Sequence, residues 1–199
     1  MVMNLMNYNL RGIVIGFIVF LHGALYASIT STPTVAVTHP LLADWVRSIG
    51  GDAVHVINSM PMSADPHTFD PPPQTLIKIS KADVIIGIGL NLDPWIQHLY
   101  DAASDKSKYM FVSTLLALNE TTDPHIWMDP KKVILIVDKI KDKLVERYPN
   151  YGDIFKRNTL IYTENLKELD KWIQQTIQVI PKTKRKLVTY HNSFSHFAS

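Results

Sequence analysis

The sequence predicts an α/β protein built on a parallel sheet. Short runs rich in Val and Ile recur at residues 35–38, 54–58, 84–88, 110–113 and 187–190, and the first four lead through turn signals into helical patterns. Strands alternating with helices imply βαβ units with right-handed crossovers. The composition agrees: 46% of the 199 residues are apolar and 19% charged, enough to bury a sizeable core. A formal net charge of +2 is too even for nucleic acid to be the main partner. The chain has no cysteine, which excludes disulfides, thiolate metal sites, a cysteine nucleophile and a lipobox anchor. Any metal would have to be held by His and carboxylates.

Residues 1–27 read as a secretory signal peptide. Arg11 is the only charged side chain there, and an apolar run over 13–21 leads to small residues at 24–28. The run falls short of the roughly 20 residues that span a membrane. The mature chain would then begin near residue 28, outside the cytoplasm. Helical patterns follow over 41–49, 74–81 and 94–103. Residues 131–148 form an amphipathic candidate helix. In a second, over 151–180, Phe155, Tyr162, Leu166, Leu169, Ile173, Ile177 and Ile180 recur at steps of three, four or seven and so share one face. Thirty residues would make a helix of about 45 Å, ended by Pro181. A helix of that length beside a small α/β lobe either projects or serves a second lobe, whose first strand would be 187–190.

One short motif occurs twice. Asp65-Pro66-His67-Thr68-Phe69-Asp70-Pro71 and Asp123-Pro124-His125-Ile126-Trp127-Met128-Asp129-Pro130 each present a histidine from a proline-stiffened turn shortly before a helix. Proline fixes φ near −65°, so holding the next residue costs less conformational entropy. Asp129-Pro130 and Asp70-Pro71 both suit the N-cap and first position of the following helix. His67 follows the second strand, His125 the fourth and His191 the fifth, and ligands of open parallel sheets bind beyond the strands' carboxyl ends. Three imidazoles and a carboxylate would suit zinc. Asp65 and Asp123 either orient an imidazole from behind or only shape their turns. His39, after the first strand, is a reserve ligand. His55, His98 and His196 read as structural, and Phe69 and Trp127 as core.

In this order, Val-Thr-His-Pro-Leu-Leu-Ala-Asp (37–44), Gly-Gly-Asp (50–52), the first Asp-Pro-His motif (64–71), Ser-Lys-Ala-Asp-Val-Ile (80–85), the second Asp-Pro-His motif (123–130) and Val-Thr-Tyr-His-Asn-Ser-Phe (188–194) resemble the periplasmic metal-binding proteins of zinc and manganese ABC importers. The resemblance implies two α/β lobes, the N-terminal one a parallel sheet with helices on both faces, joined by a long linking helix, with one metal between them. It implies a signal peptide over 1–27, an N-terminal metal-binding lobe over 28–130, a helical segment over 131–180 that includes the linking helix, and the start of a truncated second lobe over 181–199. His67 and His125 match the two ligands of the first lobe, and His191 the ligand that opens the second. In manganese-preferring relatives that third position is commonly Glu, which tilts the expectation to Zn²⁺ with Mn²⁺ as the alternative. The long His-rich loop of zinc-type members is missing. The fourth ligand, usually Asp, lies downstream in the family, beyond Ser199. The expected role is non-enzymatic: a periplasmic component that captures the metal and delivers it to an ABC permease in the inner membrane, with a separately encoded C-terminal lobe as a conceivable partner. Two alternatives stand beside it. One is a truncated lobe acting as an adhesin or interaction module through the apolar face of the 151–180 helix. The other is a zinc hydrolase, for which the chain offers no His-Glu-x-x-His or Gly-x-Ser-x-Gly motif.

Overall fold

In the computed structural model, which describes residues 32–119 and 121–198, four of the five expected strands pair in one sheet. They are β1 (Thr34–Val37), β2 (His55–Asn58), β3 (Val84–Gly87) and β4 (Tyr109–Phe111), in the order β2-β1-β3-β4 and all parallel. The expected signal peptide lies outside the described residues. Among the described residues, no helix is long and apolar enough to cross a membrane.

The period-two alternation of each strand divides the core in two. Val35, Val37, Val84 and Ile86 face one side, against Leu42, Trp45, Val46 and Ile49 of α1 (Pro40–Gly50) and Val133, Ile136, Val137, Ile140 and Leu144 of α5 (Pro130–Arg147). Ala36 and Ile85 face the other, against Ile79 of α2 (Pro73–Ser80) and Trp95 and Ile96 of α3 (Trp95–Ala102). A single turn of helix, α4 (Val112–Leu115), follows β4. Burying strands on both faces is what a parallel sheet requires.

The order β2-β1-β3 makes the chain leave β1 to one side and return to the other. The carboxyl ends of β1 and β3 therefore flank a switch point of the kind where ligands bind. Asp93 fixes this edge. Its buried carboxylate accepts from Thr38 Oγ1 after β1 and from the N–H groups of Ile88 and Gly89 after β3, both at 2.7 Å. Burial pushes its pKa up, and these hydrogen bonds pull the other way. They hold a turn in which Gly89, Leu90 and Asn91 all have positive φ, a strained run for two residues with side chains.

The long helix α6 (Gly152–Gln178) has 27 residues, about 40 Å. Its first half docks: Phe155 is fully buried, Thr159 and Thr163 nearly so, and Tyr162 and Leu166 pack against the same core. Further along the expected apolar stripe opens to solvent, with Leu169 42% and Ile180 42% exposed, and Trp172 beside it at 61%.

Two local expectations fail. Asp70 does not cap α2. The helix begins at Pro73 with Pro72 at the cap position, because a residue before proline is disfavoured in the α region and Pro71-Pro72-Pro73 postpones the start to the last ring. Residues 187–190 form no strand: Leu187, Val188 and Tyr190 are 59%, 93% and 104% exposed. A strand exists through its neighbours, and none of the described residues pairs with this one.

Candidate metal site

Each histidine of the expected trio stands on a loop at the carboxyl edge of the sheet. His67 lies between β2 and α2, His125 between β4 and α5, and His191 in the segment that follows α6. Their rings meet. His125 Nε2 is 3.3 Å from His67 Nε2 and 3.3 Å from His191 Nε2, and one ligand atom from each residue lies within 4.8 Å of the others. Vertices about 2.0–2.1 Å from a common tetrahedral centre are about 3.3 Å apart. Two edges of the triangle thus have the spacing of tetrahedral zinc–nitrogen geometry. His125 is buried, while His67 and His191 are exposed.

The Asp-Pro-His repeat explains how two of the imidazoles are delivered. In each turn the aspartate Oδ1 accepts the N–H of the histidine two residues on, at 3.0 Å in both. At the second turn the same oxygen also accepts from His125 Nδ1 at 2.6 Å. A carboxylate only accepts, so Nδ1 carries the proton and the Nε2 lone pair faces the other two rings. Burial works to raise the Asp123 pKa, but hydrogen bonds from the N–H and ring of His125 and from Ser195 outweigh it and hold it down to about 2. Asp65 makes the turn bond alone, so of the two outer carboxylates only Asp123 orients an imidazole.

His39 stays out of the cluster. Its Nδ1 accepts the N–H of Leu41 at 3.2 Å, capping α1. In a neutral ring this puts the proton on Nε2, the reverse of a ligating tautomer at that nitrogen. Burial, with the nearby His125 adding to it, lowers its pKa to about 4. The ring stacks on Trp127 at 5.0 Å, and Trp127 meets His125 edge-on at 5.3 Å. Trp127 therefore packs on the core, as expected, and also backs the buried imidazole. Phe69 is half-buried, lining with Thr38, His39 and Asp93 a cavity of about 10 Å³.

Two contributors escaped the sequence reading. Asp93 lies outside every motif singled out in the sequence, although the Gly-Leu-Asn-Leu run over 89–92 just before it carries turn residues. His196 was assigned a structural role by default. It is indeed buried, and its Nε2 bonds the main-chain oxygen of Asp123 at 2.7 Å.

The family model described as zinc-uptake complex component A, periplasmic (ZnuA) matches residues 35–199. The manganese-binding lipoprotein MntA of Halalkalibacterium halodurans is 32% identical over 167 residues, covering 82% of this chain and 56% of that protein. The iron-binding protein YfeA of Yersinia pestis is 29% identical over 171 residues, with 82% and 55% covered. The structure of the periplasmic zinc-binding protein TroA from Treponema pallidum superposes with a TM-score of 0.77 at 27% identity, over 84% of this chain and 63% of that one. The chain spans just over half the length of these curated relatives.

Proposed function

This chain belongs to the periplasmic zinc-uptake component A family, and from that premise we propose that it captures Zn²⁺ through His67, His125 and His191 and presents it to an ABC permease. Proteins of this family bind metal for import and are not enzymes, so the hydrolase alternative is set aside. The observation that carries the reading is the meeting of three Nε2 atoms, two pairs at 3.3 Å, on loops that are 58 and 66 residues apart in sequence. Nothing local brings such residues together.

The relatives named for manganese, iron and zinc leave the cargo to be argued from the donors. The three imidazoles that cluster among the described residues favour Zn²⁺ over Mn²⁺, which prefers carboxylate and water. The same reading places the mature chain in the periplasm after export by residues 1–27. It divides the rest into a metal-binding lobe over 28–130, a helical segment over 131–180 and the start of a second lobe over 181–199. A separately encoded second lobe finds no support in the comparisons.

The test is a Zn²⁺ titration with thermal unfolding, since a ligand of the native state alone raises stability by RT ln(1 + [L]/Kd). Zinc should raise the midpoint of the parent chain and leave that of His67→Ala unmoved. An equal shift in both, or a larger one with Mn²⁺ than with Zn²⁺ in the parent, would refute the assignment.

The interaction-module reading rests on the solvent-facing end of the apolar stripe, at Leu169 of α6 and Ile180 just beyond it. It requires self-association that Leu169→Lys abolishes, measured by sedimentation.

A further inference from the structure

We infer that His196 is a positioning residue, which docks the His191-bearing segment onto the His125 turn before any metal is bound. The inference rests on the metal-capture reading for its purpose, but the docking itself stands on separate contacts. His196 is buried, and its Nε2 is 2.7 Å from the main-chain oxygen of Asp123. A carbonyl only accepts, so Nε2 carries the proton and Nδ1 is left as an acceptor. The Lys132 ammonium, on the first turn of α5, donates to that Nδ1. Lys132 Nζ also lies 3.6 Å from Asp129 Oδ2, whose partner oxygen caps α5 by accepting from Lys131 N at 2.9 Å. One residue before His196, the N–H of Ser195 donates to Asp123 Oδ2 at 3.0 Å.

The result is a continuous path from the first turn of α5 through Lys132, His196 and Asp123 to the ring of His125. Asp123 is its hub: one carboxylate oxygen takes His125, the other takes Ser195, and the main-chain oxygen takes His196. The tail thus reaches the carboxylate that orients His125, five residues or fewer from His191. Among the described residues no corresponding contact reaches the Asp65 carboxylate, which bonds within its own turn. His125 and His191 therefore form a preassembled pair, and His67, on a separate exposed loop, completes the set.

Without such docking, His191 would sit on a segment with no strand pairing, and its Nε2 would have to be immobilised at the moment of capture. Paying that ordering cost in advance is how preorganisation raises affinity.

The experiment has a metal-free arm and a zinc arm, on the parent chain, His196→Ala and His196→Gln. Glutamine places an amide N–H near the position of Nε2 and so keeps the bond to Asp123 while losing the acceptor for Lys132. In the metal-free arm, hydrogen exchange of the 193–198 amides should be slow in the parent and in His196→Gln, and at least about tenfold faster in His196→Ala. In the zinc arm, affinity from a competing chelator should fall roughly three- to tenfold in His196→Ala, the worth of one hydrogen bond, and recover in His196→Gln. A merely structural histidine would lower the melting temperature and leave zinc affinity where it was. Fast exchange at 193–198 in the metal-free parent overturns the inference, as does an unchanged zinc affinity in His196→Ala. Should the parent bind no zinc, the capture reading fails, and the metal-free arm still decides whether the segment is docked.

Discussion

In the turn at 65–67 and the turn at 123–125, an aspartate oxygen accepts the histidine's main-chain N–H at the same 3.0 Å, yet only Asp123 also holds its imidazole. The His125 turn is buried, backed by Trp127 and bonded to the tail, whereas the His67 turn is exposed and leads into three prolines. A short motif thus fixes the local bend, and burial with distant partners decides what the bend is for.

The largest test of that contrast removes the rings themselves. His125→Ala should weaken zinc binding by more than about a hundredfold, beyond what losing an outer partner costs, and should also loosen Asp123 and the tail. His67→Ala should lose comparable affinity and leave exchange at 193–198 unchanged, and His98→Ala should do neither. Titration calorimetry with hydrogen exchange separates the three.

One level out, Asp123→Asn should lower zinc affinity about 10- to 100-fold. A carboxamide has one acceptor oxygen where the carboxylate uses two, so either His125 Nδ1 or the Ser195 N–H must let go. Asp65→Asn should change affinity by less than about threefold, because Asn forms the same turn. Equal effects at the two positions would erase the distinction between the turns.

The helix starts sharpen it further. Asp129→Ala should cost about 1 kcal/mol by removing the cap on α5, and Asp70→Ala less than about 0.5 kcal/mol, by denaturant unfolding of the metal-free protein. A further effect is in acid. Asp123 titrates near 2 in the fold against an ordinary 3.8, so its contribution is complete above about pH 4 and is lost as pH falls towards 2. After discounting for solvent screening this is about 1 kcal/mol, seen as a shallower acid limb of the metal-free stability curve in Asp123→Asn.

The sheet was legible because short runs rich in Val and Ile recur and lead through turns into helical patterns, as strands buried on both faces do: Val35 and Val84 face one layer, Ala36 and Ile85 the other. His67 and His125 were legible because the motif repeats after strand ends that converge; His191, whose expected strand does not form, was legible through the family resemblance of 188–194. What stayed hidden depended on neighbours. The 187–190 run has the composition of a strand without a partner, and Asp70 has the chemistry of a cap but the wrong prolines after it. His39 has the position of a ligand, but its Nδ1 is spent on α1. Asp93 and His196 act through backbone groups far away in sequence, and no spacing rule marks a residue whose partner is a carbonyl.

The two intervals between the histidines, 58 and 66 residues, have a kinetic consequence. A cation gripping all three rings closes two long loops in succession, and in an unfolded chain that closure entropy would have to be met by the metal bonds alone. An unfolded chain would therefore hold the ion less tightly than the fold, in which the sheet edge and the tail already bring the three rings together. The capture proposed above would thus belong to the completed fold, with a nascent or denatured chain a weaker competitor for the same ion.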